Sequence, residues 1–322
     1  MGGNPSLQTM TVAEFLRLPL EQVMAGLPTF LASYVVPEPA VQREVIEAIS
    51  ALGRDQPKAA WASLLEHMQH LGEGYGRFHR NGLAERIAEA YMAPLLDGAS
   101  SLEGVEHLDR AMEQLRAGAR LMIVGNHLSY ADTMTVRALL GRLGRHDAVA
   151  RLTAVAGPKV YSEPMRRLAV AGIHSIKVAQ SSTLSTNESE LGPREIMRIS
   201  RMCMEQAVEA MDDGQIVLIY PEGTRSRTGR LQSFVRATNR WLTLPGVVLR
   251  PVALWGSEGL YLIDSDQMRP AECHARIGPA IDTEQLRADG AGRDEIMEAA
   301  FLALADLLPP HYRPEADAKI QG

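Results

Sequence analysis

Two short segments carry the residue types with which this 322-residue chain could do chemistry. One is Asn126-His127-Leu128-Ser129-Tyr130-Ala131-Asp132, the other Tyr220-Pro221-Glu222-Gly223-Thr224-Arg225-Ser226-Arg227. Each follows an apolar run, at 121–124 and 216–219, of the kind that forms a buried strand. Open α/β sheets bind their ligands just beyond the carboxyl ends of such strands. One segment offers an imidazole base with a carboxylate close by. The other offers two guanidinium groups on a glycine turn. A base beside an anion clamp points to transfer chemistry on a phosphate-bearing alcohol.

His127 and Asp132 are five positions apart. On one continuous helix that spacing turns the two side chains roughly 140° from each other, so they could not meet. They meet if His127 occupies the turn after the strand and Asp132 the first helical turn. Ser129-Tyr130-Ala131-Asp132 supports this, because it fits a capping box with Ser129 as N-cap. Asp132 could then fix the imidazole tautomer and leave the other ring nitrogen as a general base. The helix N-terminus would favour negative charge beside the histidine. The plainer alternative is that Asp132 only caps the helix and His127 is a polar turn residue. In the second segment Pro221 ends the strand, Gly223 permits a tight turn, and Arg225 and Arg227 supply planar forks. Each charge-assisted contact from such a fork to a phosphate is worth roughly 1.5–3 kcal/mol. The alternative here is a surface hairpin in which Glu222 pairs with an arginine.

The elements that must position these segments change character along the chain. The first hundred residues read as helices only, with a capping box at Thr11-Val12-Ala13-Glu14 and helical stripes through Val41/Val45/Ile49 and Trp61/Leu64/Met68. These suggest an N-terminal helical domain over 1–104, a small bundle with its own core. From about residue 105 strands alternate with helices: strands at 121–124, 149–155, 173–178, 215–220, 247–254 and 275–278, helices at 105–115, 129–143, 162–170, 194–211 and 295–308. That alternation predicts an α/β domain over 105–322, a mostly parallel central sheet flanked by helices. Residues 179–193 are polar and without periodicity, so they read as a loop.

Composition narrows the class. A formal charge of −6 with no lysine/arginine block argues against nucleic acid as a partner. Cys203 and Cys273 are the only cysteines, so neither a disulfide framework nor a cysteine metal site is expected, and the cytoplasm is the natural compartment. No apolar run approaches the roughly 18 residues that span a bilayer. The N-terminus lacks the charged and apolar regions of a signal peptide, although Met1-Gly2-Gly3-Asn4-Pro5-Ser6 matches the loose myristoylation pattern. His67, His70 and His79 show no zinc spacing, His174 reads as a core histidine, and Met197, Met202 and Met204 as helix packing.

Asn126-His127 with Asp132, followed about ninety residues on by Pro221-Glu222-Gly223-Thr224-Arg225-Ser226, resembles the glycerolipid acyltransferase superfamily, glycerol-3-phosphate and lysophosphatidate acyltransferases among them. Two further blocks agree, Ala171-Gly172-Ile173-His174-Ser175-Ile176-Lys177 and Val248-Leu249-Arg250-Pro251-Val252. The four stand in family order over roughly 130 residues. The helical region before an α/β domain, and the stretch from Val155 to Pro164, are similar to the soluble plastid-type glycerol-3-phosphate acyltransferases in particular. The resemblance implies His127 as general base and Asp132 as its orienting partner. It implies Glu222 and Gly223 as shaping the acceptor site, with Asn126 and Thr224 beside them, and Arg225 and Arg227 as binding the acceptor phosphate. Where the plastid-type enzymes carry a basic cluster this chain has Ala179-Gln180-Ser181-Ser182, and Lys177 is the candidate substitute. Lys177 could equally be a strand-end lysine with its ammonium at the surface.

The activity implied is transfer of a fatty acyl group from acyl-CoA or acyl carrier protein to a hydroxyl of glycerol 3-phosphate. The hydroxyl would attack directly, without an acyl-enzyme, and without metal or cofactor. Lysophosphatidate or another lyso-lipid is the alternative acceptor. A lipid-binding protein without catalysis, on the same fold, is the alternative of another class. Membrane contact, if any, is expected to be peripheral.

Overall fold

The computed structural model describes residues 12–35, 38–162, 164–179, 191–263 and 267–315. Its centre is a nine-stranded sheet. In chain order the strands are β1 (Gly76–Phe78), β2 (Ser101–Glu103), β3 (Arg120–Gly125), β4 (Leu152–Ala156), β5 (His174–Lys177), β6 (Ile216–Ile219), β7 (Val247–Trp255), β8 (His274–Ile277) and β9 (Ile281–Asp282). They lie in the order β1-β5-β4-β6-β3-β7-β8-β2, with β9 paired to β7. The five central strands β5, β4, β6, β3 and β7 run parallel. Antiparallel pairs occur toward the sides, β1 on β5 and both β8 and β9 on β7. This is the α/β class and mostly parallel sheet expected from the strand–helix alternation.

Successive residues of a strand point to opposite faces, so each central strand must be apolar on both. Met122 and Val124 of β3, with Val217 and Ile219 of β6, pack under the helices Pro193–Asp212 and Arg293–Leu307. Leu121 and Ile123, with Ile216 and Leu218, face the helices Val105–Arg116, Asp132–Arg142 and His146–Arg151. Pro251 lies within β7, where its missing N–H falls between the β9 pairing at Val248–Leu249 and the β8 pairing that begins at Val252.

The first hundred residues depart from an all-helical reading. Helices Leu20–Ala32, Pro39–Arg54, Lys58–Leu71 and Gly82–Met92 form as the stripes require, but β1 and β2 from the same stretch join opposite ends of the sheet. Strands of three residues have no period to detect; an unpaired sheet edge selects them. The apolar core of these helices also takes in Met134, Ala154, Leu168, Ile173, Leu260 and Met268, and so is shared with residues beyond 105 rather than their own. Thr11, the first residue of the expected capping box, and most of the expected 179–193 loop lie outside the described residues.

Two smaller corrections concern boundaries. Residues 146–151 form a helix and β4 begins only at Leu152, because a short apolar run such as 148–155 fits either period. The helix expected at 162–170 is two, Lys159–Ser162 and Pro164–Ala171, the second opening at the proline. Met197, read as helix packing, is 62% exposed. No helix among the described residues is long and apolar enough to cross a membrane.

Candidate active site

The two chemical segments emerge side by side, because β3 and β6 are hydrogen-bonded neighbours in the middle of the sheet. Their turns are stitched together through the backbone. The His127 N–H donates to Glu222 Oε1 at 2.6 Å, and the Ser226 N–H donates to the His127 carbonyl at 2.7 Å. Glu222 Oε2 accepts the Gln232 N–H at 2.9 Å, and the Val235 N–H bonds the Pro221 carbonyl at 2.9 Å. The first turn, the second turn and the chain that follows it thus form one unit. Glu222 is 2% exposed, and burial pushes its carboxyl up to about 8 against the two backbone donors that act to lower it. It is a brace between loops, with both oxygens already engaged.

Within the first turn, His127 Nδ1 lies 2.8 Å from Asp132 Oδ2. The regular helix begins at Asp132 with Ala131 as its N-cap and no side-chain cap bond, later than the capping box with Ser129 as N-cap predicts. In the turn before it Ser129 Oγ accepts the Ala131 N–H, and Asp132 accepts the Ser129 N–H. Asp132 does more than cap. Its buried carboxylate also accepts from Leu128 N at 2.7 Å and from Ser257 Oγ at 2.6 Å. A carboxylate that only accepts makes Nδ1 the protonated nitrogen, which leaves Nε2 as the basic one. The ring is held from its face as well, stacked on Tyr220 with centroids 4.7 Å apart. Tyr220 in turn shares a hydrogen bond of 3.0 Å with Thr133, and burial raises its phenol well above the ordinary range. The imidazole side chain keeps 18% exposure, and that exposure is to a cavity.

The cavity measures about 370 Å³ and is mostly apolar. Ala154 and Ala156 of β4 line it with the core of the N-terminal helices, while Val155 between them lines it with the core of the opposite sheet face. It therefore straddles the carboxyl edge of the sheet, with walls from both sides: Leu31, Ile87, Tyr91, Met134 and Leu168 beneath the N-terminal helices, and Val178, Ile196, Ile219, Trp241 and exposed Ala237 on the other side. His127 is among its walls.

The cationic residues divide. Arg225 is half-buried, with its guanidinium carbon 3.8 Å from the centre of the Tyr130 ring and Nη2 donating to the Ile263 carbonyl at 3.2 Å. Its Nη1 is buried and has no hydrogen-bond partner among the described residues. Tyr130, Gly223 and Arg166 line the cavity, and the Arg166 guanidinium also lies over Tyr130, at 4.2 Å. Sequence reasoning passed over Arg166, Tyr130, Tyr220 and Ser257. Only the places of Tyr130 and Tyr220 inside the two motif segments could have signalled any of them. Gly223 has φ +69°, as the tight turn required. Arg225 is not itself among the cavity walls, and neither are Thr224 and Arg227, which are exposed.

Asn126 and Lys177 stand apart from the cavity. Asn126 is fully buried, its amide spanning to β7 by donating to the Leu254 carbonyl and accepting the Leu254 N–H. It aligns the strands behind the site instead of facing a substrate. Lys177 donates to the carbonyls of Leu71 and Gly72, where the helix Lys58–Leu71 ends, at 3.4 and 3.2 Å, and burial lowers its ammonium. A cation at a helix C-terminus is satisfied there. Cys203 and Cys273 are buried free thiols, pushed up to about 11 and 12 by burial, which makes them poor nucleophiles. No three His, Cys, Asp or Glu side chains among the described residues are grouped to hold a metal ion.

A family model described as Acyltransferase matches residues 108–255, a stretch that contains both turns and most of the sheet. A 1-acyl-sn-glycerol-3-phosphate acyltransferase of Chlamydomonas reinhardtii is 28% identical over 109 residues, 34% of this chain and 31% of that protein. A chloroplastic glycerol-3-phosphate acyltransferase of Arabidopsis thaliana is 25% identical over 160 residues, 49% of this chain and 33% of that protein. The matched part is thus about a third of the length of either relative. Among solved structures, the 1-acyl-sn-glycerophosphate acyltransferase PlsC of Thermotoga maritima aligns over 92% of this chain and 95% of its own, at 14% identity and a TM-score of 0.43. The His–Asp pair and the Pro-Glu-Gly-Thr-Arg turn that meet at one sheet edge both lie inside the stretch, residues 108–255, that matches the Acyltransferase family model, and the two relatives this chain resembles are glycerolipid acyltransferases.

Proposed function

We propose that the protein transfers a fatty acyl group from a thioester, acyl-CoA or acyl carrier protein, to a hydroxyl of glycerol 3-phosphate. The observation that carries this reading is the His127–Asp132 pair, with the imidazole oriented by a buried carboxylate, in the wall of a mostly apolar cavity. The acceptor hydroxyl gives its proton to His127 Nε2 as its oxygen attacks the thioester carbonyl. Asp132 stabilises the imidazolium that forms. Collapse of the tetrahedral intermediate breaks the carbon–sulfur bond, and the imidazolium returns the proton to the departing thiolate. No acyl-enzyme intervenes. Backbone N–H groups near the two motif turns are the candidates to stabilise the oxyanion, other than that of Gly223, which donates to the Tyr220 carbonyl. Arg225, presented by Tyr130, takes the acceptor phosphate, with Arg166 close to it. No metal is required, since a thioester is already activated. The acyl chain fills the apolar cavity, and the acylated product, a lipid, leaves into a membrane surface that the protein meets peripherally, from the cytoplasm.

A second acceptor has an observation of its own. Glycerol 3-phosphate needs only the polar centre of the site, whereas lysophosphatidate brings a tail. A mostly apolar cavity with walls on both sides of the sheet edge has surface for two chains, one from the donor and one from the acceptor. The test is thioester consumption by the purified protein with each acceptor in turn, beside His127→Ala. The variant is expected to lose roughly 10²–10⁴ in turnover while remaining folded. Full activity in the folded variant, or no consumption with any thioester donor and either acceptor, overturns the reading.

A further inference from the structure

The His–Asp pair has a third member, contributed by a distant part of the chain. β7 ends at Trp255, and Gly256 follows with φ +87°, a left-handed turn where an added Cβ would lie 2.1 Å from the Glu272 carbonyl oxygen. That turn directs the next residue, Ser257, back under the sheet edge. Ser257 is fully buried, and its hydroxyl donates to Asp132 Oδ1 at 2.6 Å across 125 positions of sequence. All other protein donors to this carboxylate among the described residues come from its own turn: Leu128 N, Ser129 N, Ser129 Oγ and His127 Nδ1.

We infer that Ser257 is a positioning residue for the base, one that holds the Asp132 carboxylate plane and sets the basicity of His127. The inference rests on His127 being the base. An aspartate whose donors all come from one short turn could rotate with that turn. A hydroxyl fixed to β7 pins Oδ1, so that Oδ2 stays in line with Nδ1. The same hydrogen bond draws negative charge toward Oδ1 and weakens the pull of Oδ2 on the imidazole proton. The other groups facing the imidazole are few. Tyr220 stacks on it from the end of β6, Glu222 takes its backbone N–H, and Arg225 and Arg166 lie beyond on Tyr130. Glu258, next to Ser257, accepts the Tyr312 hydroxyl at 2.5 Å.

The test is Ser257→Ala in the full chain, followed in two ways. Titration of the His127 ring by NMR should show its pKa raised by about half a unit to one unit, since the carboxylate has lost a donor. The acid limb of kcat/KM should move up by the same amount, with kcat lower by roughly three- to thirty-fold and both KM values little changed. Ser257→Thr, which keeps the hydroxyl, should restore the wild-type titration. A folded Ser257→Ala whose His127 titrates as in the wild type overturns the inference, even if it is less stable. If the wild-type protein consumed no thioester, the proposed reaction would fail while the titration still decided the part played by Ser257.

Discussion

Replacing Asp132 by asparagine removes one negative charge and displaces almost no atoms. With the new amide oxygen in the place of Oδ2, it still accepts the N–H groups of Leu128 and Ser129 and the Nδ1–H of His127. The new NH2 group then faces the hydroxyls of Ser129 and Ser257, both of which can turn to accept. The fold should therefore survive. What disappears is the carboxylate opposite the imidazolium that forms as the acceptor is deprotonated. Two unit charges about 4 Å apart, at an effective dielectric of about 20, attract by roughly 4 kcal/mol. At about 1.4 kcal/mol per tenfold, the loss in kcat is roughly 10³-fold. The assay is release of free thiol from an acyl thioester at saturating acceptor, with melting temperature and KM measured in parallel. KM should stay near its wild-type value, because the charge matters only once the proton has moved. A folded Asp132→Asn protein with kcat within about threefold of wild type would refute the reasoning, since Asp132 would then be only a helix cap.

Three further outcomes follow from the geometry. Arg225→Ala should raise the KM for the phosphorylated acceptor about tenfold or more while leaving the thioester KM unchanged, as measured by initial rates against each substrate. Asn126→Ala strands a buried N–H and a buried carbonyl of Leu254, so it should cost about 2–6 kcal/mol in denaturant unfolding and leave acceptor KM unaltered where folded; a raised KM with intact stability would restore Asn126 to the substrate site. Glu222 holds its proton more tightly folded than unfolded, because burial raises it from 4.5 to about 8. Its contribution is therefore full below about pH 4.5 and is lost as pH rises to about 8, so wild-type melting temperature should fall more steeply across that range than that of Glu222→Gln.

Much of the site was legible before any fold was known, because it is local. His127 and Asp132 share one turn, and the capping-box spelling is enough to bring their side chains together. Gly223 needed its left-handed backbone for the same local reason. Roles that depend on what lies opposite were not legible. Asn126, Glu222 and Lys177 have the side chains of ligand-binding residues, yet their polar atoms are occupied by Leu254, by His127 and Gln232, and by Leu71 and Gly72. Their partners lie between ten and 128 positions away. The short strands β1 and β2 escaped for a related reason, since an edge strand is chosen by the sheet it joins.

Residue periodicity and motif chemistry by themselves determined an α/β sheet with a base and an arginine turn at its carboxyl edge, because these follow from neighbours a few positions apart. Tertiary structure alone decided that Tyr220 and Ser257 grip the His–Asp pair, that Arg225 rests on Tyr130 beside Arg166, and that an apolar cavity reaches both faces of the sheet at His127. Each of those depends on strand order. β3 lies between β6 and β7, so one histidine can be reached at once from the end of either neighbouring strand.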